Sequence, residues 1–220
     1  MTLTAPTLTT ERLTLRAWRI DEHDAQALFA YAKNPEIGPR AGWQPHKNLE
    51  ESRETLEHLF QTPTTWAIVM RDDESDTPIG CLALKTVDDF LIQHAGKDAA
   101  QSAYELGYTL AEDYWGLGII PEACETIFNY AFETLQIQQI WGVHNVENRQ
   151  SRRVMEKLGM KRVAVLPHIP HPLLGEDVFW DEILRHISRQ EWLQEPHLRD
   201  YFVAPNEYEV LAIDGIVGKN

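Results

Sequence analysis

The sequence predicts one mixed α/β domain built around a central sheet, followed by a short C-terminal extension. Short apolar segments with strand-like alternation recur along most of the chain, and two strand–helix–strand units follow one another near its middle. The chain has 220 residues, of which 43% are hydrophobic, which is enough to bury one substantial core. We assign residues 1–192 to the domain and residues 193–220 to the extension.

The N-terminal part of the chain predicts one strand and two helices. Residues Arg12–Trp18 alternate between polar and apolar side chains, which is typical of a half-buried strand. Asp21 is a candidate N-cap for a helix that ends at Pro35, because the residue before a proline disfavours helical geometry. Asn48, with a glutamate three residues later, predicts a second capped helix.

A hairpin and a long excursion come next. The segments Thr65–Met70 and Ile79–Val87 flank an acidic turn and predict two paired strands. Residues Asp88–Ser102 are polar and weakly periodic, which predicts an excursion that is either functional or disordered. Ala103–Leu110 then predicts the strand that leads into the centre of the chain.

The central segment Tyr114–Ala123 reads Tyr-Trp-Gly-Leu-Gly-Ile-Ile-Pro-Glu-Ala. Gly116 and Gly118 stand where a strand must turn into a helix, and glycine lets a ligand approach the main chain. A helix that begins there directs unpaired N–H groups outward, and Pro121 is tolerated in its first turn. Together these features predict a phosphate site that needs no lysine. A glycine turn without a ligand explains the segment by itself equally well.

The helix after this turn is predicted to be amphipathic. Its buried face is predicted to carry Ala123, Ile127, Ala131 and Leu135, and its polar residues Glu122, Glu125, Asn129 and Glu133 are predicted to lie largely on the other side.

The remaining regular region alternates strands and a helix. A short strand, Gln139–His144, precedes a helix over Asn145–Leu158, and Gly159 suits a left-handed C-cap. The strands Lys161–Leu166 and Val178–Ile187, joined by a Pro-rich loop, complete the domain.

Composition argues against several classes of function. A net charge of −14 and the lack of a Lys/Arg cluster argue against nucleic-acid binding. We expect neither an export signal nor a membrane span, and therefore a cytoplasmic protein. Cys81 and Cys124 lie in apolar segments and are predicted to be reduced core residues. His168 and His171 have a spacing that can bind a metal, but no third ligand is evident, so no metal is predicted.

Several motifs occur together in one order along the chain. They are Thr10-Glu-Arg-Leu-Thr-Leu-Arg16, Gly107-Tyr108, Tyr114–Ala123, Asn145-Val-Glu-Asn-Arg-Gln-Ser151, Glu156-Lys-Leu-Gly-Met160, Asp181 and Glu191-Trp192. This set closely resembles the GNAT superfamily of acyl-CoA N-acyltransferases, and within it the RimJ/RimL-like branch, which includes enzymes that acetylate the N-terminal amines of ribosomal proteins. The resemblance implies a mixed, mostly antiparallel twisted sheet of about seven strands flanked by about four helices.

The resemblance also implies that acetyl-CoA is the cosubstrate and that the main chain of the glycine turn holds its pyrophosphate. The implied cofactor-binding residues are Leu110, Trp115, Gly116, Leu117, Gly118, Ile119, Ile120, Asn148 and Ser151. Many family members have Gly or Ala at the position of Ile120, so the side chain of Ile120 must be directed away from the phosphates.

Two polar residues, Asn148 and Ser151, lie three apart on one face of a predicted helix. From the residues alone, plain helix capping is the simpler explanation. The resemblance implies instead that Asn148 orients the pantetheine arm and that Ser151 protonates the departing thiolate. Many members use a tyrosine one turn later, and that position is Met155 here, which cannot donate a proton.

Acyl transfer to an amine needs a neutral nitrogen, and a carboxylate can take the proton from the ammonium form. Glu105 is the candidate base, because it lies just before the glycine turn and shares a strand face with Gly107. A solvated strand carboxylate is an equal alternative for this residue.

The resemblance also implies that the acceptor pocket is built from the loop around Trp43 and from the excursion that begins at Asp88. Trp43, Asp88 and Tyr108 are therefore the candidate substrate-binding residues. Packing alone explains Trp43 equally well, because large aromatic side chains are generally well buried.

The predicted function is acetyl-CoA-dependent transfer of an acetyl group to a primary amine, either a protein N-terminus or a small molecule, directly within a ternary complex. No covalent acyl-enzyme is expected, because neither cysteine has an evident neighbouring base. A non-catalytic acyl-CoA-binding regulatory module is the alternative. The predicted partners are the amine substrate and, because the extension is apolar, a second copy in a homodimer; neither nucleic acid nor a membrane is predicted.

Overall fold

A computed structural model of the protein describes residues 4–96 and 102–194 and contains one eight-stranded sheet with helices on both faces. The strands are β1 (Leu8–Thr9), β2 (Leu13–Ala17), β3 (Thr65–Met70), β4 (Pro78–Thr86), β5 (Ala103–Leu110), β6 (Gln139–Asn145), β7 (Lys161–Pro170) and β8 (Phe179–Ser188). The helices are α1 (Glu22–Ala32), α2 (Leu49–His58), α3 (Asp89–Ala95), α4 (Ile119–Asn129), α5 (Arg149–Lys157) and α6 (Arg189–Gln194). None of the helices in these ranges is both long enough and apolar enough to cross a membrane.

The sheet has the order β1-β2-β3-β4-β5-β6-β8-β7 and is antiparallel except between β5 and β6. These two parallel strands pair only from Ala103 opposite Gln139 to Glu105 opposite Trp141. Beyond those residues β5 continues to Leu110 paired only with β4. The sheet therefore opens between β5 and β6, and we call this gap the central opening.

The two faces of the sheet carry different cores. Helices α4 and α5 cover one face, where Trp66, Phe128 and Trp192 are among the largest fully buried side chains. Helices α1 and α2 cover the other face next to β3 and β4, and Leu91 of α3 packs there against residues of β6 to β8. Helix α4 continues into a π-helical turn through Thr134 before the chain enters β6.

The mixed, mostly antiparallel fold is confirmed, and several elements match the predicted bounds. Strands β3 and β5 have the predicted residues, and the side chains of Asp21 and Asn48 cap α1 and α2. Gly159 adopts a left-handed φ of 73° after α5. The described ranges contain more elements than the expected seven strands and four helices.

Three local differences from the prediction have physical reasons. Helix α3 lies inside the predicted excursion, capped by the Asp88 side chain, and is too short to show clear periodicity. Strand β7 continues through Pro167 to Pro170, which is allowed because β7 is an edge strand. Helix α5 begins at Arg149 rather than Asn145, because β6 extends through Asn145. The predicted extension lies outside the described residues from position 195 onward.

The predicted polar face of α4 is wrong for two residues. Glu122 and Asn129 are buried, with 5% and 1% of their surface exposed. Asn129 accepts a hydrogen bond from the indole Nε1 of Trp192 at 2.8 Å, and Glu122 binds residues of the first strand region. Both polar side chains are buried because they have partners that are distant in sequence.

Candidate active site

The glycine turn connects β5 to α4 with two residues in left-handed conformations. Gly116 has φ 77° and Gly118 has φ 78°, a region that strongly favours glycine. The first α4 hydrogen bond runs from the Glu122 amide to the Gly118 carbonyl. Within the described ranges, no protein acceptor is recorded for the amides of Gly116, Leu117 and Gly118. The turn therefore presents free N–H groups at a helix N-terminus, which is a favourable site for an anion.

Space around the turn agrees with close approach of a ligand. A Cβ added at Gly116 would meet no atom within 4 Å, and the Leu117 side chain is 56% exposed. Ile120 is 6% exposed and belongs to the core under α4. The Ile120 side chain is therefore directed away from the outer surface of the turn, which is the condition for a phosphate to bind there.

A clamp formed by Thr10, Arg12 and Glu122 fixes this turn. The Arg12 Nε donates to Glu122 Oε2 at 2.7 Å, and the Thr10 hydroxyl donates to Glu122 Oε1 at 2.5 Å. Arg12 also donates from Nη1 to the Leu117 carbonyl at 3.1 Å. The clamp ties the start of the sheet to the first turn of α4, which holds the free amides in place. Sequence reasoning missed it because its members lie far apart in the chain.

We predict that Glu122→Gln lowers the free energy of unfolding by about 1–3 kcal/mol, because the substitution breaks charged hydrogen bonds to a buried group. Urea unfolding followed by circular dichroism measures this change. Glu133→Gln is the matched control, since Glu133 is exposed after the same helix. Equal stability of the two variants would contradict a structural role for the clamp.

Trp115 and Leu110 support the turn from the side of β5. The Trp115 indole Nε1 donates to the Leu110 carbonyl at 2.9 Å, and the Arg40 guanidinium lies 5.6 Å from the centre of the Trp115 ring. Leu110 itself is buried in the core under α4. These contacts join two predicted cofactor-binding residues, Leu110 at the end of β5 and Trp115 after it, to the loop before α2.

Ser151, on α5, reaches a residue of β5 across the central opening. Its Oγ lies 2.7 Å from the hydroxyl of Tyr108, and the residue is 8% exposed. Asn148 caps α5 by accepting from the Ser151 amide at 3.0 Å, and its Nδ2 donates to the Arg40 carbonyl at 3.3 Å. Capping thus accounts for Asn148, whereas the Ser151 hydroxyl pairs with Tyr108.

The Tyr108 hydroxyl is a neutral donor at any ordinary pH. Burial raises the pKa of Tyr108, and its bond with Ser151 offsets only part of that shift. Tyr108, placed by the sequence among substrate-binding residues, therefore pairs with the predicted acid. Met155 is fully buried beside Gly142, so it fills the core one turn beyond Ser151.

Glu105 lies on the opposite face of β5 from Tyr108, because side chains alternate along a strand. Its Oε1 accepts from Lys85 Nζ at 3.0 Å, and its side chain is 20% exposed. The Lys85 chain also covers Gly107, whose added Cβ would lie 3.2 Å from Lys85 Cε. A carboxylate on one face and a hydroxyl pair on the other thus border the same opening.

The two remaining candidate substrate residues have structural partners. The Trp43 ring packs against Gly38, leaving no room for a Cβ there, and lies 5.4 Å from the His46 ring. Asp88 Oδ1 accepts from the Leu91 amide at 2.9 Å as the N-cap of α3. Packing and capping therefore explain both residues in the structure, and contact with an acceptor stays a prediction.

The histidines and cysteines have separate surroundings. His168 stacks on Phe179, whereas His171 contacts Glu182. In the described part of the chain, the only His/Cys/Asp/Glu group close enough to share a metal is Asp21, His23 and Asp24, and Arg16 already binds both Asp24 oxygens. Burial raises the pKa of Cys81 to about 12 and that of Cys124 well above its usual range, so neither forms a thiolate near neutral pH.

Known proteins are similar to this chain in sequence and in fold. The model of the acetyltransferase (GNAT) domain family matches residues 12–161. The uncharacterized N-acetyltransferase p20 of Bacillus licheniformis is 27% identical over 165 residues, covering 73% of this chain and 85% of that protein. A GNAT-family acetyltransferase from Bacillus anthracis superposes with a TM-score of 0.70 at 21% identity, covering 84% of this chain and 99% of its own. A ribosomal-protein-S5-alanine acetyltransferase from Vibrio fischeri gives 0.63 at 18% identity, covering 84% and 98%. The chain therefore belongs to the GNAT family of acetyltransferases.

Proposed function

We propose that the protein transfers the acetyl group of acetyl-CoA to a primary amine, either a protein N-terminus or a small molecule, directly within a ternary complex. The observation that carries this proposal is the central opening, with free amides at the glycine turn and proton-transfer groups on both faces. Family membership supports acetyl transfer in general.

The part of the central opening next to the glycine turn is suited to binding coenzyme A. The amides of Gly116 to Ile120 would hold the pyrophosphate, aided by the positive end of the α4 dipole. Because β6 does not pair with β5 beyond Glu105, the edge of β5 facing the opening is available to the pantetheine arm. Asn148, at the start of α5, would line the same path.

The proposed base and the proposed acid lie on opposite faces of β5. On one face, Glu105 would take a proton from the acceptor ammonium, directly or through water, which leaves a lone pair on nitrogen for attack on the thioester. On the other face, the Ser151 hydroxyl would protonate the departing thiolate, with Tyr108 as its hydrogen-bond partner. The raised thiol pKa values of Cys81 and Cys124 support direct transfer without an acyl-cysteine.

The experiment is release of free coenzyme A thiol from acetyl-CoA, measured with a panel of N-terminal peptides, polyamines, amino sugars and simple alkylamines. We expect amine-dependent release of the thiol with at least one acceptor class. Double-reciprocal plots of the initial rate should give lines that intersect, as for a ternary complex, rather than parallel lines. Binding of acetyl-CoA by calorimetry without turnover on any acceptor would favour the non-catalytic acyl-CoA-binding module instead.

A further inference from the structure

A second carboxylate, Glu182 of β8, faces the same side of the sheet as Glu105. Glu182 stands opposite Asn145 of β6, and Glu105 stands opposite Trp141 of β6. Residues 141 and 145 of β6 point to one face, since strand side chains alternate with a period of two. Glu105 and Glu182 therefore lie on that face from the strands on either side of β6, Glu105 where the central opening begins and Glu182 four β6 residues further along it.

Glu182 is buried and has a defined partner. It is 6% exposed, and its Oε1 lies 3.1 Å from His171 Nε2. The His171 ring is 3.8 Å from the Trp180 ring, and a Cβ added at Gly42 would lie 3.3 Å from His171 Nδ1. The segment after β7 thus holds His171 between Glu182 and the loop that carries Trp43.

No arginine or lysine within residues 4–96 and 102–194 forms an ion pair with Glu182. The groups that face it are His171 and Glu105, while Asn145 of β6 and Leu166 of β7, which stand opposite it, carry no charge. A buried carboxylate without a cation is costly, and a proton or a bound ammonium removes that cost.

The ionisation of these groups follows from burial and mutual charge. Burial raises the pKa of Glu182 to about 7, and the negative charge of Glu105 adds to the shift. Burial also lowers the pKa of His171, so its ring is neutral at neutral pH and can donate from Nε2 to the ionised form of Glu182. Lys85 neutralises Glu105 at 3.0 Å but has no ion pair with Glu182. Burial therefore favours the protonated form of Glu182.

We propose that Glu182 is a further catalytic residue, which acts with Glu105 as a carboxylate pair that binds the acceptor ammonium and retains its proton. The inference rests on the proposed function. The nitrogen–hydrogen bond breaks, and its electron pair forms the bond from nitrogen to the thioester carbonyl carbon. The carbon–sulfur bond then breaks with its electron pair on sulfur, and the thiolate takes a proton from the Ser151 hydroxyl. The second proton that the nitrogen loses as the amide forms returns to Ser151 through the Tyr108 hydroxyl. His171 is a positioning residue that orients the Glu182 carboxylate.

Glu182→Gln tests the pair through the pH dependence of kcat/KM. The pair must be deprotonated to act, so wild-type kcat/KM falls as pH decreases through about 7. We expect Glu182→Gln to lower the plateau value of kcat/KM about tenfold or more. The fall of kcat/KM near pH 7, which we call the acidic limb of the profile, should also disappear in this variant. Glu176→Gln, an exposed carboxylate in the segment after His171, is the control and should match the wild type. Wild-type kcat/KM in Glu182→Gln, or a limb that stays in place, would overturn the proposal.

His171 is tested by the position of the same limb. His171→Ala removes a donor to the carboxylate, so we expect the limb to move to higher pH with the plateau of kcat within about twofold of wild type. His171→Gln keeps an amide donor and should restore the limb toward its original position. An unmoved limb in His171→Ala would remove the positioning role.

Thermal unfolding tests the state of Glu182 without any turnover. A folded-state pKa above the unfolded value means that the stabilisation is complete below the unfolded pKa and is lost as pH rises through about 7. Relative to wild type, Glu182→Gln should therefore gain in Tm between pH 5 and pH 8. A Tm difference that does not change with pH would refute the buried, proton-holding carboxylate, whereas failure of every acceptor in the thiol assay would refute the proposed function.

Discussion

Glu105→Gln is expected to lower kcat by about 10²–10⁴-fold, because the amide cannot take the proton that the acceptor amine must lose. Acetyl-CoA affinity should stay within about twofold of wild type, since Glu105 lies on the face of β5 opposite the Ser151–Tyr108 pair. Thiol release across pH measures the first quantity, and calorimetric titration measures the second.

A matched control is Glu57→Gln, which removes an exposed carboxylate from α2. It should retain wild-type kcat, so any loss in Glu105→Gln cannot come from net charge alone. If Glu105→Gln kept full activity across pH, Glu105 would have no part in the mechanism and the amine proton would go elsewhere.

Ser151→Ala is expected to lower kcat about 100-fold, because the departing thiolate would lose the hydroxyl donor that we propose for it. Tyr108→Phe should cost less, since it removes only the partner that polarises Ser151. If the two hydroxyls act as one unit, the double variant should be little slower than Ser151→Ala alone. Thiol release at saturating acetyl-CoA measures all three variants.

Two outcomes would contradict this assignment. Additive losses in the double variant would mean that Tyr108 and Ser151 act separately. A larger defect in Tyr108→Phe than in Ser151→Ala would make Tyr108 the acid, consistent with its neutral, buried hydroxyl.

Local chemistry in the sequence was sufficient to predict most of the fold. Alternation predicted β2, the acidic turn predicted β3 and β4 as a hairpin, a capping aspartate predicted α1, and two glycines predicted the turn before α4. These features depend on neighbours within a few residues. The two-residue strand β1 and the seven-residue helix α3 were missed because such short elements carry little periodicity.

The candidate site was predictable only where it is local. The glycine turn follows from spacing along the chain, whereas the site roles of Asn148 and Ser151 follow from the family resemblance. The core position of Ile120 meets the condition set for it. The Glu122 clamp, the Tyr108–Ser151 pair and the Glu182–His171 pair join residues brought together by the sheet. No local pattern predicts these contacts. The polarity of Glu122 predicted an exposed side chain, and nothing in the neighbouring sequence distinguishes Glu182 from the other acidic residues.

We expect acetyl-CoA to bind at the glycine turn beside the central opening. Calorimetric titration of acetyl-CoA into wild type and Gly116→Val tests it most directly, because a valine at φ 77° is strained and its side chain fills the open space above the turn. Circular dichroism establishes that both proteins are folded. We expect one-to-one binding to wild type and at least about tenfold weaker binding to Gly116→Val. Equal affinity of the two folded proteins, or no binding to wild type, would contradict it.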